Sequence, residues 1–319
     1  GGPAMQQEAL QYLHIRLLAT PAVLLQYSLM GWFIGQGKTR LPLLMLVTAN
    51  SINALLDVVF VFALDMTSNG VALATAIADY SAAALGVWLA QRQGLHGLGR
   101  MPTLDSMTAT LRVNQHLFIR TLCLLSVFAF FTAQGARQGE LILATNAMLI
   151  TLLLLISNAL DGFAHAAESL TGQALGSNRP TQLRRAIMAT GINSAVLALA
   201  LCCLFWLAGP WLLAQLTDNP ELLDSLQQYQ GFLFWLPLAG CASYWLDGVL
   251  VGAGATASMR NAMVLAAVAV FLPLWWWLTA FGNDGLWWAF YGFLLARGSF
   301  MIWPLVQIMR HPQAFREPH

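Results

Sequence analysis

Residues 31–39 read GWFIGQGKT, and residues 248–256 read GVLVGAGAT. Both fit the pattern G-x-x-x-G-x-G-x-T, and the second begins 217 residues after the first. Further on, SNGVALA places Gly70 and NDGLWWA places Gly285, 215 residues apart. The order of parts repeats as well. A proline-bearing helix (Pro21; Pro237) runs to a glycine-rich turn, a helix returns, an Asn/Asp-Gly turn follows, and a third helix goes back. Small residues four apart let helix backbones approach closely, the packing that membrane helices use. The first copy has a superficial phosphate-loop look. However, Trp32 stands where G-x-x-x-x-G-K-[ST] requires its first glycine, and Ala255 replaces Lys38 in the second copy. The motif is therefore read as packing and turn.

The surrounding composition agrees. Of 319 residues, 58% are hydrophobic and only 9% charged, with a mean hydropathy of +0.64. A soluble chain carries roughly 25% charged residues, so this one could not cover its own surface. Disorder and disulfide scaffolds are excluded, and a net charge of +1 is no nucleic-acid footprint. Cys123, Cys202, Cys203 and Cys241 all lie in apolar runs without zinc spacing. Solid apolar runs, rather than the alternation of a porin strand, predict nine spans. They cover residues 10–35, 41–64, 70–91, 117–136, 141–170, 186–209, 229–253, 261–280 and 286–309. The architecture expected is an all-α integral membrane bundle.

Loop charge sets the orientation. Lys38 and Arg40; Arg92, Arg100 and Arg112; Arg179, Arg184 and Arg185; Arg260; and Arg310 and Arg316 fall in every second loop and at the C-terminal end. The alternate loops hold Asp65, Glu140 with Arg137, then Asp218, Glu221 and Asp224, and Asp284. Basic loops favour the cytoplasm, so the C-terminus is expected there. Nine spans then put the N-terminus outside, although GGPAMQQEAL shows no signal peptide. The repeat offers a resolution. Three helices precede the second copy and none precedes the first, so three more are expected before residue 1. Two parallel six-helix halves would hold substrate between them, as in secondary transporters.

Ionisable groups within spans are costly and need a reason. Asp57 sits mid-span, with Asn53 at i−4 and Asn50 at i−7 on one helix face, and Thr75 on the next span is a possible partner. Asp161, His165 and Glu168 share a face of the fifth span, with Glu168 within reach of Arg184 or Arg185. Asp247 lies beside the second glycine-rich turn. Each has both a structural and a proton- or cation-coupling reading. Asp79, Arg120 and Arg297 are read as structural pairs or interfacial groups near span ends. The tryptophans at 275–277 and 287–288 are read as an interfacial belt. No G-x-S-x-G or H-E-x-x-H motif supports a hydrolase.

The run DGFAHAAESLTGQALGS (161–177), with LDGVLVGAGAT (246–256) and GWFIGQGKTRLP (31–42), closely resembles the DinF branch of the multidrug and toxic compound extrusion (MATE) transporters. That resemblance implies twelve helices in two lobes, of which helices four to twelve are present. Residues 1–91 would be the C-terminal half of the N-lobe, 92–116 a cytoplasmic linker, 117–310 the C-lobe and 311–319 a cytoplasmic tail. It implies a monomeric multi-pass protein of a bacterial inner membrane that exports cationic or amphipathic drugs. The driving force would be a proton gradient, with sodium as the alternative, and no cofactor, metal or nucleic acid. Asn53, Asp57 and Thr75 match the branch's N-lobe polar network, whose central carboxylate would lie on a helix this sequence lacks. Asp247 falls roughly where another branch has a C-lobe cation-site acid. A lipid-linked sugar flippase of related fold and a membrane-embedded enzyme or assembly subunit are the alternatives.

Overall fold

The structure, a computed structural model, describes residues 3–94 and 104–315. Arg100, Arg316 and residues 95–103 of the expected linker lie outside the described residues. Among the described residues all regular structure is helical. The chain divides into two compact units, Gly1–Met101 and Pro102–His319.

The first unit holds α1 (Pro3–Gly35), α2 (Arg40–Asp57, continued by a π-helical turn, Val58–Ala63) and α3 (Ser68–Arg92). Helix α3 packs against both others. Its sequence explains why it can. Ala72, Ala74, Ala76, Ala78, Ala82, Ala83, Gly86 and Ala90 are buried, so it is slim on both faces. A Cβ on Gly86 would meet Met45 Cε at 2.5 Å and Leu29 Cδ1 at 3.0 Å, the side chains that pin α1 and α2 onto it.

The second unit holds α4 (Leu104–Arg137), α5 (Glu140–Gly176), α6 (Pro180–Ala214), α7 (Pro220–Gly252), α8 (Thr256–Leu265), α9 (Leu272–Leu278) and α10 (Gly282–Arg310). A π-helical turn, Ala266–Phe271, joins α8 to α9. Pro273 cannot donate to the ladder, and a widened turn just before it accommodates the freed carbonyls. Helix α7 packs on α5, α6 and α10. An aromatic cluster fills one end of the unit: Trp287 meets Phe131 edge-on at 5.0 Å and stacks on Phe232 at 5.7 Å.

Eight segments among the described residues are long and apolar enough to cross a membrane. The last, Thr256–Arg310, contains two predicted spans. Gly282, at φ +56°, marks the reversal between them, and α10 packs back on α8 and α9. The helices also overrun their apolar cores: α4 begins at Leu104 and α6 at Pro180, ahead of the predicted 117 and 186.

The repeat is visible atom by atom. After α1, Lys38 N–H bonds Phe33 O at 2.9 Å and Gly37 N–H bonds Ile34 O at 2.8 Å. After α7, Ala255 N–H bonds Leu250 O at 2.8 Å and Gly254 N–H bonds Val251 O at 2.9 Å. All four residues are shifted by the same 217 positions. Gly37 and Gly254 take the left-handed conformation, φ +73° and +70°, that this cap requires. The two copies differ in packing. A Cβ on Gly248 or Gly252 would collide with the α5 backbone at Ala164 or Glu168, whereas one on Gly31 or Gly35 would meet nothing within 4 Å.

Two expectations are corrected. The Asn/Asp-Gly pairs do not form the turns. The chain reverses one step earlier, at Asp65 (φ +50°) and Gly282, and Gly70 and Gly285 lie in the first turns of the return helices. Their role is close approach: a Cβ on Gly70 would lie 2.6 Å from Met66 Cβ, and one on Gly285 3.1 Å from Leu278 Cβ. Trp287 is not a belt residue. It is fully buried and donates to Asn146 Oδ1 at 2.9 Å, while Trp276, Trp277 and Trp288 are exposed.

Candidate functional site

In the first unit Asp57 is the last α-helical residue before the π turn. The i−4 spacing sets Asn53 beside it, and Asn53 also faces Thr75 of α3 at 3.2 Å. The amide can be placed in two ways. In one, Asn53 Nδ2 donates to Thr75 Oγ1, which donates to Val71 O at 2.8 Å, and Asn53 Oδ1 faces the carboxyl of Asp57. In the other, Nδ2 donates to Asp57 Oδ2 at 3.3 Å and Oδ1 accepts from Thr75 Oγ1 at 3.2 Å. The second is the placement that satisfies both ends of the amide, since Oδ1 then also accepts from Thr75 N–H at 3.3 Å. Asp57 Oδ1 is buried with no partner among the described residues. Asn50 is exposed and is not gathered into this cluster. Elsewhere in the unit, Arg16 of α1 pairs with Asp79 of α3 at 2.8 Å.

The second unit carries a different chemistry. At the positions 217 residues beyond Asn53 and Asp57 stand Val270 and Leu274, so the polar stripe is not repeated. Instead, Asp247 of α7 binds Arg120 of α4 and Arg297 of α10, both through Oδ2. Arg297 lies midway along α10, 1% exposed, with its guanidinium 5.5 Å above the Tyr244 ring. It is neither interfacial nor near a span end. It forms a structural pair, one of the two readings its sequence allowed, but its i, i+50 relation to Asp247 has no local signature that names the partner. Asp247 Oδ1 and both arginine Nε atoms are buried without partners among the described residues. The triad sums to one positive charge. Asp161 of α5, half-buried, lies within electrostatic reach of all three members, and when ionised it brings the group to neutrality.

His165 and Glu168 continue that face of α5, with Nδ1 and Oε2 3.5 Å apart. Glu168 therefore pairs within its own helix rather than with Arg184 or Arg185. The sequence also missed the buried pair Asn146 and Asn283, which exchange hydrogen bonds of 2.7 and 3.1 Å between α5 and α10.

Known proteins place this architecture. A family model described as MatE matches residues 117–277. The DNA damage-inducible protein F of Escherichia coli K12 is 36% identical over 305 residues, covering 93% of this chain and 66% of that protein. Protein DETOXIFICATION 44, chloroplastic, of Arabidopsis thaliana is 26% identical over 92% of this chain and 56% of its own length. The chain thus spans under two thirds of the curated relatives it matches. Among solved structures, the Vibrio cholerae MATE transporter VcmN matches with TM-score 0.87 at 18% identity, covering 96% of this chain and 70% of that one. A MATE structure in the bent conformation matches with TM-score 0.84 at 17% identity, over 99% and 72%. The fold is that of these transporters, the reading as a membrane enzyme falls away, and the chain belongs to the MATE family.

Proposed function

We propose that the protein is a proton-coupled efflux transporter for cationic or amphipathic organic compounds, working in a bacterial inner membrane with Asp57 as a coupling group. One observation carries the coupling: Asp57 sits within an apolar span at the end of an Asn53–Thr75 polar chain that links α2 to α3, and its Oδ1 is buried without a partner among the described residues. A carboxyl in hydrocarbon is costly when charged. One so placed, with an oxygen left unbonded, is suited to take up a proton on one side and release it on the other. The π turn directly after Asp57 supports the reading, since such turns bring a backbone irregularity next to the titrating group. Proton arrival would change the bond that Asp57 makes with Asn53 and so bias the packing of α2 on α3.

The flippase alternative calls for free cationic groups in a central cavity within the spans to hold a phosphorylated head. Of the arginines within the second unit's spans, Arg297 is buried and Arg120 partly exposed, and both are already bonded to Asp247. Asp161 with Arg120, Asp247 and Arg297 then forms a charge-balanced group, which His165 and Glu168 extend along α5 as the lining of substrate passage, and no sodium site is assigned to it.

The test is dye efflux from everted vesicles containing the protein expressed from its natural gene, with and without a proton gradient. Asp57→Asn should abolish gradient-dependent efflux at unchanged membrane expression. Efflux at the wild-type rate in that variant would sink the assignment.

A further inference from the structure

A groove of about 720 Å³ runs between the C-terminal end of α5 and the N-terminal end of α6. None of its lining residues belongs to either polar network. Toward the helix ends it is lined by Arg179, Gln182 and Arg185; deeper into the span it is lined by Leu170, Ala186 and Ala189. The groove is therefore graded from cationic to apolar along one direction.

Three features identify what such a groove suits. First, its charge is of one sign. No Asp or Glu occurs between Glu168 and Asp218. The ion pairs among the described residues involve Arg16, Arg120, His165 and Arg297, not Arg179 or Arg185. Second, it straddles the membrane boundary. The apolar spans end at residue 170 and resume at residue 186, so Arg179, Gln182 and Arg185 lie on the aqueous side and Leu170, Ala186 and Ala189 at the edge of the hydrocarbon. Third, the basic end belongs to a loop that the positive-inside rule assigns to the cytoplasm, the leaflet surface where anionic lipids attract Lys and Arg.

We propose that this groove binds an anionic phospholipid, its phosphate between Arg179 and Arg185 and an acyl chain along Leu170, Ala186 and Ala189. The two guanidiniums then select head-group charge, and the small alanines leave room for the chain. This site does not depend on the coupling role of Asp57.

Native mass spectrometry of the purified chain, released from detergent with added dioleoyl phosphatidylglycerol, dioleoyl phosphatidylcholine or inorganic phosphate, tests it. Phosphatidylglycerol should be retained and phosphatidylcholine lost. At the attraction typical of a basic residue at an anionic surface, Arg179→Gln with Arg185→Gln should weaken retention about 30-fold. Arg40→Gln with Arg310→Gln, an equal charge change elsewhere, should leave it unaltered. Ala186→Trp keeps both guanidiniums and fills the groove, so it should also release the lipid; it decides the matter if the double variant fails to fold. Equal retention of both lipids, or full retention in Ala186→Trp, would overturn the proposal. Inorganic phosphate displacing phosphatidylglycerol completely would reassign the site to free phosphate and overturn the lipid as its occupant.

Discussion

Replacing Asp247 with leucine should be the most damaging single change to the Arg120–Asp247–Arg297 triad, and the structure sets the ranking. Oδ2 accepts from both guanidiniums. Hydrogen bonds to charged groups contribute about 1.5–3 kcal/mol each, so Asp247→Leu forfeits about 3–6 kcal/mol. It also leaves two like charges without their anion. Arg297→Met removes one of the two bonds and leaves a neutral Arg120–Asp247 pair, a loss of about 1.5–3 kcal/mol. Arg120→Met should cost least, because its side chain is 23% exposed against 2% for Arg297, and water screens what remains. The double variant, Asp247→Leu with Arg297→Met, strands only the more exposed Arg120. It should therefore be less damaging than the sum of its parts by about 0.5–3 kcal/mol. Thermal melts of the purified protein in detergent would read these losses as drops on the order of 10 °C for Asp247→Leu and half that for Arg297→Met. Equal drops for the two single variants, or strict additivity in the double, would refute the view that one carboxylate neutralises both arginines.

The other predictions follow from neighbouring geometry. Asn53→Leu should slow dye efflux by at least about tenfold, because its bonds to both Asp57 and Thr75 are lost; Thr75→Val should be milder, since Asn53 can still face Asp57, and the reverse order of the two rates would count against the relay. Gly252→Val should abolish monodisperse protein on size exclusion, because its Cβ would lie 2.9 Å from Glu168 Cα. Gly35→Ala, with open space around it, should be tolerated and gain about 0.5–1 kcal/mol from helix propensity; identical behaviour of the two variants would show that the motif packs alike in both copies. Trp287→Phe keeps the edge-on contact with Phe131 and should lose about 1 kcal/mol with its bond to Asn146. Asn146→Leu should lose more in the same melts, because it strands both Asn283 and Trp287.

The helical architecture and the repeat were legible because both are local. A span needs about twenty apolar residues in a row, and the capped turn needs a glycine at one position of positive φ, so Gly37 and Gly254 mark it in the letters themselves. The Asn53–Asp57 pair was legible for the same reason, being one helical turn apart, and Thr75 was within guessing distance on the next helix. The exact turn was misplaced because Asn-Gly and Asp-Gly carry a turn signal, while Gly70 and Gly285 serve close approach to the preceding segment, which spacing does not reveal. Trp287 looked interfacial by its neighbours, but a buried asparagine 141 residues away gives its N–H a partner.

What the sequence by itself determined, then, is that the chain crosses a membrane repeatedly, that a three-helix order recurs, and where carboxylates interrupt apolar runs. Those follow from hydropathy and from hydrogen bonds closed within a few residues. What only the tertiary structure decided is which interruptions are already answered. Asp247 meets two arginines from helices 127 and 50 residues away, and Asp57 keeps one oxygen without a partner among the described residues. Charge compensation in a low-dielectric interior depends on distance in space, and sequence separation carries no record of it.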